Sequence, residues 1–269
     1  MGFGHQVLGF GGFANRDSGV YGINQSIRFN DNDSPNLSRT PTIIGNQNAF
    51  TISLWFKRGN IGSLQTLFNA GASEDLAINA DNDLICNFGG SNYITNRKFR
   101  DPAAWMHLVV AVDTFVATAS QRVRFYINGR EETSSSSGAT AVAGFSTETN
   151  PDRYSYMAMN TRVAHFIGSN EGGAEEWDGY ITEFHFVDGA QLLPASFGKL
   201  DDNGIWIPIQ YDDTTTVIAP IGPYLGELNG DMTEGGGLAF AFNEVFAATG
   251  ASARSAGAAA ATGFIGKDF

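Results

Sequence analysis

The clearest pattern in the chain lies between residues 106 and 133. Met106, Leu108, Val110 and Val112 fall on alternate positions, and Val123, Phe125 and Ile127 alternate with Arg122, Arg124, Tyr126 and Asn128. A period of two is what a strand with one buried face requires. Asn128-Gly129 follows directly, the pair best suited to a type I′ turn because both residues need positive φ. Residues 130–133 are then expected to return as a third strand, completing a three-strand meander. Similar alternation predicts strands over 26–29 (Ile27 and Phe29 inward), 51–57 (Ile52, Leu54 and Phe56 inward) and 64–68. It also predicts a hairpin from 76–78 to 84–88, followed by strands at 93–94, 154–158, 163–167 and 177–187. Residues 192–198 read as one helical turn, opened by Pro194 and stopped by Gly198. Ile205, Ile207 and Ile209 alternate around Pro208, which makes that strand an edge. Many short strands punctuated by turns predict an all-β protein built as a β-sandwich.

Composition supports that class. Of 269 residues, 42% are hydrophobic and only 16% charged, with 33 glycines and 21 phenylalanines, a balance that suits turns and strands better than helices. The length allows one large β domain with an extension, or two small domains. Residues 1–22 form a Gly- and Phe-rich arm. Residues 23–210 carry the strand pattern, and 211–269 form an irregular, Ala/Gly-rich extension with no apolar stripe. Burying Phe3, Phe10 and Phe13 would return roughly 1.5–3 kcal/mol each, so the arm is expected to dock on another subunit or protein.

The net charge of −12 disfavours nucleic acid and anionic membranes as partners. No stretch reaches the roughly 18 apolar residues of a membrane helix, and the N-terminus lacks the basic-then-apolar order of a secretory signal. The single cysteine, Cys86, excludes an intrachain disulfide, which fits folding in a reducing cytoplasm, and its place in an alternating run predicts a small core residue.

Candidate chemistry is sparse. Asp31 and Asp33 in the turn NDNDSPN offer oxygens to a metal, but the glycine and distant glutamate of a calcium loop are missing and turn formation explains the run. His5, His107, His165 and His185 have no ligand spacing, and no cofactor is expected. A binding role needs only polar and aromatic groups on loops of a rigid frame. Asn92 and Tyr93, and the loop with Ser169, Asn170 and Glu171, are the candidates for sugar contact; Trp55, Trp105 and Trp177 are assigned to the core or its rim.

Several phrases occur in a telling order: SIRFNDNDSPNLSRT, TISLWFK, W-x-H-L-V-V-A-V-D, R-F-Y-I-N-G and W-D-G-Y-I-T-E-F-H-F-V-D-G. Over about residues 23–210 the chain resembles the laminin-G-like, concanavalin A-like lectin domain. RDPAAWMHLVVAVDT, ATASQRVRFYING and FVDGAQLLPASFGK are similar to lectin-like proteins of bacteriophages, marine phages in particular. The resemblance implies a jelly-roll sandwich on a virion, as part of a tail fibre or appendage contacting host surface glycans. It implies assembly in the host cytoplasm with itself and other virion proteins. A capsid-decoration or head-fibre role stays open beside it. Some concanavalin A-like folds are glycosidases, with two carboxylates about 5–5.5 Å apart on one strand. Here the nearest run, Glu176-Trp177-Asp178-Gly179-Tyr180-Ile181, lacks the second acid, and Glu183 is seven residues on. The chain is therefore expected not to be an enzyme.

Overall fold

The computed structural model describes residues 21–23, 25–72, 74–133 and 144–211, together with the backbone of three short strands beyond them. Most of the expected N-terminal arm, the 134–138 loop and most of the C-terminal extension lie outside the described residues. The strands are, in order, β1 (Ile27–Phe29), β2 (Asn36–Arg39), β3 (Ala49–Arg58), β4 (Gln65–Ala70), β5 (Glu74–Ile78), β6 (Asp83–Phe88) and β7 (Ser91–Lys98). There follow β8 (Met106–Asp113), β9 (Val123–Ile127), β10 (Arg130–Glu132), β11 (Phe145–Glu148), β12 (His165–Ile167) and β13 (Gly179–Asp188). The chain then forms β14 (Gly198–Leu200) and β15 (Trp206–Pro208), and ends with β16 (Ala239–Phe240), β17 (Ala247–Thr249) and β18 (Arg254–Ser255).

Two antiparallel sheets make a β-sandwich of the jelly-roll kind. One runs β10-β9-β8-β3-β13-β1-β18, with β16 also on β13; the other runs β11-β7-β6-β5-β4-β12-β2-β17. The meander is present as expected, and Asn128 and Gly129 have φ of 47° and 76°, both positive as a type I′ turn demands. The extension expected to be irregular thus contributes strands to both sheets. Residues 154–158, expected as a strand, form a loop instead. Tyr154, Tyr156 and Ala158 alternate there, but so do Met157 and Met159, and these two methionines enter the core.

The core between the sheets takes the alternate positions anticipated from sequence, including Ile52, Leu54, Phe56, Leu108, Val110, Val112, Phe125 and Cys86. Yet β3 and β8 are buried on both faces. The reason is a second small cluster on the outer face, where Val109, Ala111, Tyr126 and Val187 meet Ala190 and Phe197. The segment from 190 to 211 folds back over this face.

His107 sits at the centre of that cover. Its ring is stacked between Trp55 (4.8 Å between centroids) and Trp206 (6.0 Å). Trp206 Nε1–H donates to His107 Nδ1 at 3.0 Å, so the proton lies on Nε2, which donates to Ser53 Oγ at 2.9 Å. Burial, with the His185 charge adding to it, holds His107 down to about 3. His165 is a comparable neutral ring: Nε2 accepts from the Asn160 N–H, Nδ1–H donates to the Val163 carbonyl, and burial lowers it to about 4.

Candidate functional site

The registers place the candidate sugar contacts at opposite ends of the sandwich. Ala70 of β4 pairs with both Glu74 and His165, and Asp75 pairs with Asn87 near the β6–β7 turn; Asn92 therefore lies at the end where β12 begins. Ser169, Asn170 and Glu171 follow Ile167 at the other end, where Gly168 N–H donates to the Leu67 carbonyl and Thr66 N–H to that of Glu175. The two groups cannot form one site.

Tyr93 is a correction. Its ring is 1% exposed and packs on Phe125 and Phe145, with its hydroxyl donating to Asn150 Oδ1 at 3.1 Å. An inward strand position claims the ring for the core, so it offers no face to a sugar. Ser169 is also corrected: it is fully buried and its hydroxyl donates to the Asn170 carbonyl. Asn170 shapes the loop, its Oδ1 accepting from Ala174 N–H at 2.9 Å. Asn92 and Glu171 are exposed. In the 3-10 turn at 31–33, Asp31 accepts from Asn60 and Asn32, and Asp33 from Asn30. Amides occupy these oxygens, and among the described residues no group of three His, Cys, Asp or Glu is placed to hold a metal.

The carboxylates around β13 have other partners. Glu176 accepts from the Ser34 hydroxyl, Asp178 pairs with Arg28 at 2.5 Å, and Ile181 is a core residue. Glu183 sits at a bulge with φ 47° and accepts from the Tyr21 hydroxyl at 2.7 Å. Burial raises the Glu183 carboxyl, but its interaction with His185 and the hydrogen bond from Tyr21 outweigh it and leave the group low.

The best-formed exposed surface is one the sequence did not announce. At the end shared with Asn92, Tyr156 is 72% exposed, Tyr154 54% and Phe115 47%. Phe115 and Tyr154 meet edge to face at 5.7 Å. The Arg153 guanidinium lies over the Tyr154 ring at 4.8 Å while its Nε–H donates to the Phe115 carbonyl. Tyr154 has φ 70°, a conformation that costs a bulky L-residue about 1–2 kcal/mol. Its N–H donates to the Thr114 carbonyl at 3.0 Å, and Asn48 and Thr114 both donate to the Ser155 carbonyl. The loop is therefore over-determined by its supports, as a strained residue needs.

Glu74 fixes the other half. This buried carboxylate accepts three backbone N–H groups: Gly89 at 2.9 Å, Ala158 at 2.6 Å and Met159 at 2.5 Å. Burial pushes Glu74 above the usual carboxylate range, against the pull of those three bonds. It ties the aromatic loop to the β6–β7 turn, where a Cβ on Gly89 would stand 3.4 Å from the Tyr156 carbonyl oxygen. The result is an exposed Phe115–Tyr154 ring pair and an exposed Tyr156 on a pinned backbone, at the end of the sandwich that also carries Asn92. Ridges of this kind can stack on the apolar faces of sugar rings while amides and Arg153 make polar contacts.

The family model for the concanavalin A-like lectin/glucanases superfamily matches residues 29–192. No curated protein matches the chain in sequence. Among solved structures, it is similar to a candidate carbohydrate-binding protein from Bacteroides ovatus, with 13% identity, a TM-score of 0.47, and coverage of 81% of this chain and 51% of that one. A heptameric SAP-like pentraxin from Limulus polyphemus has 14% identity and a TM-score of 0.41, over 60% of this chain and 75% of that one. Domain 4 of an extracellular arabinanase from Geobacillus stearothermophilus, in complex with arabinotriose, has 22% identity and a TM-score of 0.38, over 58% and 68%. The chain spans about half the length of the first of these.

Proposed function

We propose that the chain, which belongs to the concanavalin A-like lectin/glucanases superfamily, is a non-enzymatic glycan-binding protein of a bacteriophage virion. In this reading it forms part of a tail fibre or appendage, and the Tyr154–Tyr156 ridge contacts a host surface saccharide. The observation that carries the reading is the pair of tyrosines, 54% and 72% exposed, on a loop held by Glu74, Asn48 and Thr114. Leaving two large rings in water while fastening the backbone beneath them is poor design for stability and good design for stacking. The phage-like phrases around the meander and at residues 186–199 support the virion setting. The absence of a second acid after Asp178 supports binding without hydrolysis.

A glycan array, followed by competition of the purified chain against phage adsorption to host cells, tests the reading. Saccharide binding, blocked adsorption and no release of reducing ends are expected. No binding to any surface sugar contradicts recognition, and reducing-end release contradicts the non-enzymatic assignment. Label on the phage head in micrographs contradicts the tail position.

A further inference from the structure

The 190–211 segment covers only part of the outer face of the first sheet. Near the opposite end from the tyrosine ridge, a row of half-buried to exposed side chains is not covered by that segment. Arg28 of β1 pairs with Tyr180 of β13, and Tyr180 pairs with Lys57 of β3. Since Phe56 pairs with Met106, Lys57 stands opposite Trp105, the residue just before β8. Their neighbours Ile27, Phe29, Phe56 and Ile181 point into the core, so these four residues share the outer face.

The row is built rather than scattered. Trp105, 38% exposed, leans across β3 to Tyr180, with 6.3 Å between ring centroids. Arg28 lies over the Tyr180 ring at 5.4 Å from its centroid, oriented by the ion pair to Asp178 and a bond to the Gly179 carbonyl. Lys57 stands between Tyr180 and Trp105 in the register of β3, is half-buried, and makes no salt bridge among the described residues. Four adjacent strands span about 14 Å across the sheet, the reach of a short oligosaccharide. On a chain of net charge −12, a row offering one uncompensated ammonium between aromatic faces is a local exception. Such a surface stacks sugar rings and selects those bearing an anionic group.

We infer that the Arg28–Tyr180–Lys57–Trp105 row is a second saccharide site, which takes a linear polysaccharide carrying carboxylate or sulfate groups. Rings lie along Trp105 and Tyr180, and Lys57 supplies the charge contact, since Asp178 already engages Arg28. The inference rests on the glycan-binding reading but not on its site, because the row lies roughly 26 Å along β3 from the tyrosine ridge.

The test is a titration of the full chain with polyguluronate, dextran sulfate and neutral dextran at low and high salt, using wild type, Lys57→Gln, Trp105→Ala and Tyr156→Ala. The expected result is binding to one or both anionic polymers, weakened by salt, absent for dextran, and reduced about tenfold by Lys57→Gln and by Trp105→Ala. The two anionic polymers separate carboxylate from sulfate recognition. Both substituted side chains reach the surface, and an unchanged melting temperature verifies folding. Equal binding of neutral dextran, or wild-type affinity in both row variants, overturns the inference. If Tyr156→Ala alone abolishes saccharide binding, the inference falls and the proposed function stands. If only the row variants lose affinity for the anionic polymers, the inference stands and the ridge, a separate site, is untouched. Failure of both anionic polymers to bind overturns the inference, and failure of every glycan on the array overturns the proposed function as well.

Discussion

Replacing Glu74 by alanine separates the frame from the loop it carries. The carboxylate is 1% exposed and accepts N–H bonds from Gly89, Ala158 and Met159. Each bond to a charged group is worth about 1.5–3 kcal/mol, but removing the acceptor also relieves the cost of burying a charge. Water reaching part of the vacated space reduces the loss further. The net expectation is about 3–5 kcal/mol, which for a domain of this size lowers the melting temperature by roughly 10 °C. Glu74→Gln is the informative companion. Gly89 and Ala158 both donate to Oε1, which glutamine can keep, whereas Met159 donates to Oε2, where the amide NH₂ would face another donor. That variant should lose about 1–2 kcal/mol, one unsatisfied N–H. Urea unfolding gives the energies, and hydrogen exchange at the three amides shows whether the loop has come loose. A loss below about 1 kcal/mol for alanine, with the Ala158 and Met159 amides still protected, would refute the idea that Glu74 pins the loop.

Three further outcomes follow from the geometry. His107 and His165 are buried neutral, with values of about 3 and about 4 against an ordinary 6.5, so the unfolded chain binds more protons below pH 6.5 and stability falls as pH drops. Burial-raised Glu74 and Asp188 oppose this trend near their ordinary values, so His165→Gln is the cleaner measure. It should flatten the stability–pH slope by about 1.4 kcal/mol per unit between pH 6.5 and 4, and an unchanged slope contradicts a neutral His165. Gly129→Ala places a Cβ 2.5 Å from the Trp206 ring at φ +76° and should cost about 2–4 kcal/mol in chemical denaturation; Gly90→Ala, at φ +82° with open space, should cost only about 1–2. Trp206→Phe should destabilise the chain and raise the His107 value, followed by NMR titration, because the N–H that occupies Nδ1 is gone; an unmoved titration refutes that bond.

Much of the fold was legible because strands with one buried face write themselves in period two. Val123, Phe125 and Ile127 are core residues, and the Asn128-Gly129 turn has the backbone its sequence asks for. β2 was missed because Asn36-Leu37-Ser38-Arg39 holds one apolar residue and no alternation. The loop at 154–158 was misread because two interleaved rows, tyrosines and methionines, carry the same period, and only tertiary packing chooses between them. The candidate site was less legible still. Tyr93 looked like a stacking ring until the facing sheet closed over it, and Ser169 looked like a sugar contact until its loop folded inward. Tyr154 and Tyr156 announce themselves only once Glu74, some 80 positions earlier in the chain, is seen holding their loop. Long-range bonds of that kind leave no local pattern. The Trp105 row is similar: its members come from four strands, and register alone brings them together.

Whether the pinned tyrosines bind saccharide is decided by one titration. The array's strongest neutral glycan is measured by calorimetry against wild type and Tyr156→Ala, each with its melting curve. Tyr156 is 72% exposed, so the melting temperature should stay within about 2 °C while affinity falls about tenfold or more. Unchanged affinity in a folded Tyr156→Ala variant would contradict the account.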